Sequence, residues 1–220
     1  MSSMIMHKHR SIFIHVNKAG GTTVENLLAP FEEFRFVKKI YRGTIRRASF
    51  LNGFKGFSIA GIDFFHPHAS ALDIRSVIGE EKFNSYFKFA IVRNPWDIEL
   101  SRYFFARKAR AHKLHSLANS LSFKEFLRWR ESKGLRSRQI VKLCDEDENI
   151  IVDQIVKIEM LDKELPKLLG ERFGFSIEGM LPRLNVSKNR TSYKEYYDQE
   201  SVQIVERLNS KDIERFGYTY

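Results

Sequence analysis

The sequence predicts an α/β fold: a single domain with a central, mainly parallel β-sheet flanked by helices. Short apolar runs that suit buried strands recur along the chain, in "SIFIHV", "YFKFAIV" and "IIVDQIVKIEML". Segments with helical start signals stand between them, which is the alternation of a parallel sheet with crossover helices. At 220 residues, 43% of them hydrophobic, the chain can bury roughly 70% of its unfolded surface around one core.

Residues 11–16 read as a buried strand and residues 22–28 as the start of a helix, so Gly20 and Gly21 fall in a strand-to-helix connection. Residues 57–65 read as a second strand, broken at His66-Pro67-His68. In "HASALDIRSVIG", Ser70 and Asp73 have the spacing of a capping box and Gly79 is the stop. Residues 86–92 are apolar and aromatic enough for a central strand. After it, Asn94 caps a helix, Pro95 takes the first helical position and Asp97 falls in the first turn. That helix is expected to reach Arg102 or beyond. Ser122 and Glu125 repeat the capping-box signature, a strand falls near residues 155–158, and "SYKEYYDQESVQIVERLN" reads as a late helix. With no repeat, low-complexity tract or linker, one domain is expected over residues 1–220. The charged, weakly patterned interval 106–148 reads as an insertion or a lid.

Composition narrows the partners. Lys and Arg number 37 against 27 Asp and Glu, a formal charge of +10 with a pI near 9.7, which favours something anionic. Cys144 is the only cysteine, which excludes an intramolecular disulfide framework and any multi-cysteine zinc site. The run "MSSMIMHKHRSIFIHV" is too polar for a signal h-region, and no segment approaches the roughly 18 apolar residues of a membrane helix. A soluble intracellular protein is expected.

The stretch "SIFIHVNKAGGTT" carries more than a turn needs. Backbone N–H groups exposed at Gly20 and Gly21, at the positive end of a helix, make a nest for an anion. Lys18 adds a charge, and Thr22 and Thr23 add hydroxyl donors. A Walker A loop places its Lys after the last glycine; here Lys18 precedes the pair, so the resemblance to a P-loop is one of layout. Alone, the pattern fits an ordinary Thr-capped glycine turn equally well. In "VRNPWDIELSRY", Arg93 stands where a parallel strand ends, the edge at which α/β proteins bind ligands, and Ser101 follows about two helical turns later. An Arg fork with a hydroxyl suits a terminal phosphate. The plainer alternative pairs Arg93 with Asp97 and leaves Ser101 to packing. Between the two segments, His66 and His68 are candidate general bases. They suit a polar turn as well, and no third ligand accompanies them to hold a metal.

Taken together, "FIHVNKAGGTT" and "FAIVRNPWDIELSRYF" resemble the sulfotransferase family that uses 3′-phosphoadenosine-5′-phosphosulfate (PAPS), above all its carbohydrate-type, bacterial family 2-like members, with motifs like hHxPKTGGTS and FxxVRNPxDxxxSxY. The likeness continues through "IVDQIVKIEML", "LPRLNVSKNR", "YKEYYDQE" and "DIERFGYTY" and is weakest at residues 31–56 and 106–148, making the latter an acceptor-side insertion or lid. It implies that Lys18, Ala19, Gly20, Gly21, Thr22 and Thr23 hold the 5′-phosphosulfate and that Arg93 and Ser101 hold the 3′-phosphate. Lys188 and Arg190 would close over the nucleotide from the C-terminal side. It also implies in-line sulfuryl transfer to a hydroxyl of a sugar or glycan, with release of 3′,5′-adenosine bisphosphate and no metal requirement. Lys18 would stabilise charge on the departing phosphate. Related sequences place a His shortly before A-x-x-I/L-R, which favours His68 over His66 as the base.

Two positions depart from the family pattern: Asn17 replaces the usual proline and Ala19 the usual threonine, which bears on cofactor affinity rather than identity. Glu159 resembles an acidic family position with a structural or second acid/base role, and His15 reads as a core histidine. Glycan-modifying animal relatives carry a membrane anchor that this sequence lacks, so a prokaryotic cytoplasm is expected. Two rivals stay open. One is a noncatalytic binder of nucleic acid or anionic polysaccharide, supported by basic residues interleaved with aromatics in "SRYFFARKARAHK". The other is a nucleotide-kinase-like phosphotransferase, disfavoured by the order of Lys and glycines and by the lack of an Asp pair for Mg²⁺. On the sulfotransferase reading no nucleic-acid partner is expected.

Overall fold

The computed structural model describes residues 3–34, 36, 55–60, 62–66, 69–136, 138–175 and 192–220. In chain order its strands are β1 (Met4–Met6), β2 (Ser11–Ile14), β3 (Gly56–Ile59), β4 (Ile62–Phe65), β5 (Phe87–Val92) and β6 (Gln154–Lys157). The α-helices are α1 (Gly21–Leu28), α2 (Ala71–Ile78), α3 (Glu80–Ser85), α4 (Pro95–Lys108), α5 (His115–Ser120), α6 (Phe123–Ser132), α7 (Leu161–Phe173), α8 (Gln199–Leu208) and α9 (Ser210–Phe216). The architecture is α/β with a mainly parallel central sheet, in agreement with the sequence. Two compact units make it up: Met1–Val92 with Val141–Leu184, and Arg93–Ile140 with Asn185–Tyr220.

The first unit holds the central sheet, in the order β1-β2-β5-β6. β2 and β5 run parallel with Phe13 opposite Phe89, and β5 and β6 run parallel with Ile91 opposite Val156. Short β1 is antiparallel to β2, Ile5 facing Ile12. Every residue of β2 is buried, as are Phe89, Ala90, Ile91 and Val92. Strands covered on both faces need apolar side chains in both directions, hence runs without alternation. The parallel strands bring their C-terminal ends to one sheet edge, where α/β sheets place ligands.

Residues 57–65, expected as one strand, are a hairpin. β3 and β4 pair antiparallel in a separate two-stranded sheet, with Phe57 opposite Phe64, and Ala60 at φ 50 helps to reverse the chain. Buried Asp63 ties this hairpin to its unit through His7 Nε2 at 3.3 Å and Lys82 Nζ at 3.2 Å. Helix α2 opens with the expected capping box: Ser70 Oγ accepts from the Asp73 N–H at 3.1 Å, and Asp73 Oδ2 accepts from the Ser70 N–H at 2.9 Å. Helix α7 runs through Pro166, which supplies no N–H to the helix, because Leu161, Leu165, Leu168, Leu169 and Phe173 form a buried stripe.

The second unit is helical. Asn94 Oδ1 accepts from the Trp96 N–H at 3.0 Å to cap α4, and Pro95 opens the helix, as the sequence predicts. Trp96, Leu100 and Tyr103 of α4 are buried, as are Phe126 and Leu127 of α6 and Ile204 and Val205 of α8. Buried Glu99 meets Arg130 Nε at 3.0 Å and Arg102 Nε at 3.8 Å, so its charge is compensated inside the bundle. The interval 106–148 includes α5 and α6, and the Ser122–Glu125 capping box forms there. The late helix expected over residues 192–209 is interrupted: a 3₁₀ turn at Tyr193–Tyr196 gives way to extended Tyr197 before α8. Asp198 is the reason. Its Oδ1 accepts from the Ser201 N–H at 2.8 Å, an N-cap that restarts the helix. Among the described residues no helix is long and apolar enough to cross a membrane.

Candidate functional site

Chain geometry changes abruptly after β2. Lys18 adopts φ 67 and Gly20 adopts φ 75, both in the left-handed region, with Ala19 buried between them. A left-handed lysine stores about 1–3 kcal/mol of strain and persists only where its surroundings enforce it. Gly20 is the N-cap of α1 and has no side chain to cap that end, and the first turn carries no acid. The positive end of the helix is thus neither capped nor neutralised by its own sequence, which fits an anion of phosphate or sulfate type. Thr22 is exposed and Thr23 is buried, so the two hydroxyls of the motif occupy different environments.

The two glycines are required for different reasons. At Gly20 the positive φ already selects glycine, and a Cβ would lie 2.5 Å from Ile158 Cδ1, just beyond β6. At Gly21 the φ is ordinary, but a Cβ would collide with the His15 imidazole. His15 is buried just after β2, with Nδ1 2.6 Å from Glu25 Oε1 of α1, so a close side-chain contact spans the base of the loop. Its backbone N–H donates to Ser3 Oγ at 3.0 Å, and that hydroxyl donates to the Ala69 carbonyl at 3.2 Å. Ala69, three residues after His66, is thereby linked to the residue at which the loop after β2 begins. His66 itself is half-buried, its N–H donating to the Lys55 carbonyl at 3.0 Å. His68, Lys188 and Arg190 lie outside the described residues. Glu159 is exposed in the 3₁₀ turn that follows β6. Asn17 Oδ1 is buried with no hydrogen-bond partner among the described residues.

In the second unit, Arg93 directs Nε and Nη2 at Asp97 Oδ2, at 2.8 and 2.5 Å. The Arg93–Asp97 pair of the plainer expectation is therefore present. Ser101 stands one helical turn beyond Asp97 on the same face of α4. Gln139 brackets the Arg93 main chain: Oε1 accepts from the Arg93 N–H at 2.9 Å and Nε2 donates to the Arg93 carbonyl at 2.8 Å. Sequence reasoning missed Gln139, since nothing in its spacing points to Arg93. The Asp97 contact was readable from its place four residues after Arg93.

Among the described residues no group of three or more His, Cys, Asp or Glu gathers as a metal site. Compared with known proteins, residues 2–219 match the family model described as "Sulfotransferase family". No curated protein and no solved structure matches the chain.

Proposed function

The chain belongs to the sulfotransferase family, and from that membership we propose that it moves a sulfuryl group from PAPS to a hydroxyl acceptor, a sugar or glycan. The observation that carries the reading is the loop after β2, whose left-handed Lys18 and Gly20 open α1 with no side-chain cap and no acid. When bound, PAPS supplies an activated sulfuryl group and a nucleotide with anionic groups at both its 5′ and 3′ positions. Lys18, the N–H groups at Gly20 and Gly21 and the hydroxyls of Thr22 and Thr23 hold the 5′ end, where an ammonium gains most as negative charge builds on the phosphate oxygen. Arg93 and Ser101 hold the 3′-phosphate, and Lys188 and Arg190 close over the nucleotide. Because Asp97 already orients the Arg93 fork, the arginine meets the phosphate with less freedom to lose. His68 removes the proton from the acceptor hydroxyl. The interval 106–148 shapes the acceptor side, within one sulfotransferase domain.

Calorimetric titration with 3′,5′-adenosine bisphosphate, against 5′-AMP as control, tests the reading. Tight binding that needs the 3′-phosphate supports both halves of the assignment, and turnover with PAPS over an acceptor panel then identifies the substrate. Absence of binding by either nucleotide at low salt sinks the proposal and leaves the noncatalytic polyanion reading. Among variants, His68→Ala should keep nucleotide affinity and lose turnover; retained turnover moves the base to His66 or elsewhere.

A further inference from the structure

We propose that Gln139 is a positioning residue for recognition of the 3′-phosphate, acting through the Arg93 backbone; the inference rests on the reading of Arg93 given above. Strand β5 ends at Val92 and α4 begins at Pro95, so Arg93 lies in the two-residue junction where neither ladder nor helix defines the backbone. Gln139 takes over there. It is 2% exposed and uses one acceptor and one donor of its amide on the N–H and C=O of the same residue. That is the exchange a neighbouring residue makes in a hydrogen-bonded antiparallel pair, reproduced by a side chain.

The bracket is itself fixed. Asp212 of α9, also buried, accepts from the Gln139 N–H through Oδ2 at 2.8 Å and from the Ile140 N–H through Oδ1 at 2.9 Å. Carboxylate acceptors make the stronger class of hydrogen bond, so the segment carrying Gln139 is held at two successive peptide groups. Gln139 then sets the Arg93 backbone, and Asp97 sets the direction of the guanidinium. An arginine constrained at both ends gives up little rotamer entropy when it grips an anion, whereas one fixed only at its tip must order its stem on binding. Gln139 therefore contributes to discrimination between nucleotides with and without a 3′-phosphate, although it does not touch the ligand.

The test uses the full chain and titrates 3′,5′-adenosine bisphosphate and 5′-AMP into wild type, Gln139→Leu and Gln139→Glu. In Gln139→Leu, of similar size but without either hydrogen bond, the preference for the 3′-phosphorylated nucleotide should fall about tenfold or more, with 5′-AMP affinity changed by less than about twofold. Gln139→Glu keeps the acceptor for the Arg93 N–H but sets a carboxylate oxygen against its carbonyl, so the preference should fall at least as far as in the leucine variant. It also carries the test if the leucine variant does not fold. A purely structural role would weaken both nucleotides together and leave their ratio unchanged, which overturns the proposal. A wild type without preference for the 3′-phosphate overturns the reading of Arg93, and this inference with it. Preference in wild type that survives both substitutions overturns this inference alone.

Discussion

Replacing Gly20 by alanine sets two separable costs against each other. The position has φ 75, and a Cβ there would lie 2.5 Å from Ile158 Cδ1 but 3.4 Å from Ile158 Cγ1. The left-handed conformation costs an L-residue about 1–2 kcal/mol. The clash adds about 1 kcal/mol, the low end of the range for overpacking, because the atom struck is the tip of a half-buried side chain that can rotate. Gly20→Ala should therefore destabilise by about 2–3 kcal/mol. Ile158→Val removes the methyl that clashes and should cost about 0.5 kcal/mol alone. In the double variant only the backbone cost and the lost methyl remain. The double-mutant cycle should thus show a favourable coupling of about 1 kcal/mol, read from urea denaturation by linear extrapolation. Additivity within about 0.3 kcal/mol would refute the packing of Ile158 against the loop and leave glycine needed for its φ alone.

Lys18→Gly relieves a left-handed lysine and should raise stability by up to about 1 kcal/mol while abolishing turnover; retained turnover would remove Lys18 from the chemistry. Arg93→Ala should cost about 1.5–3 kcal/mol in binding of 3′,5′-adenosine bisphosphate and little for 5′-AMP, and equal losses for both nucleotides would contradict its assignment to the 3′-phosphate. Burial alone would raise the Asp63 carboxyl, but hydrogen bonds from His7 and Ser58 and the Lys82 ammonium outweigh it and bring the pKa down to about 2. A folded-state value below the unfolded one stabilises the protein above the unfolded pKa, and that contribution disappears as pH falls from about 4 to about 2. The stability gap between wild type and Asp63→Asn, on the order of 1–2 kcal/mol near neutrality, should close across that window; a gap independent of pH would count against the carboxylate network.

The parts of the fold that sequence reasoning reached are those whose causes are local. Both partners of the Ser70–Asp73 and Ser122–Glu125 capping boxes lie within one turn, and the continuous apolar runs of β2 and β5 follow from burial on both faces. Elements decided by distant packing were not legible. Three residues of β1 form no pattern by themselves, and their place follows from pairing with β2. Pro166 argues against a helix that a buried leucine stripe nevertheless imposes. Within "YYDQES", Asp198 had too many helix-compatible neighbours for its capping role to stand out, so one helix was expected where the chain makes a 3₁₀ turn and then a helix.

The candidate site divides along the same line. That residues 18–23 turn from a strand into a helix could be read directly, because the glycine pair follows an apolar run and precedes the threonines. Why both glycines are needed could not, since Gly20 answers to Ile158 and Gly21 to His15. The departures from the family pattern also change meaning in three dimensions. Ala19 is wholly buried, so the position where relatives carry threonine is here filled by a packed methyl, with no side-chain donor for a ligand. At Asn17 the amide Oδ1 is buried without a hydrogen-bond partner among the described residues, and the same amide carries two Nδ2 donors. Ala19 does not replace the missing hydroxyl. On the reading proposed above, affinity for the 5′ end of the nucleotide then rests on the backbone N–H groups at the start of α1, on Lys18, on the two threonines and on the Asn17 amide. Those backbone groups are the part of the motif that Ala19 leaves intact, because they depend on the left-handed turns at Lys18 and Gly20 and not on the side chain between them.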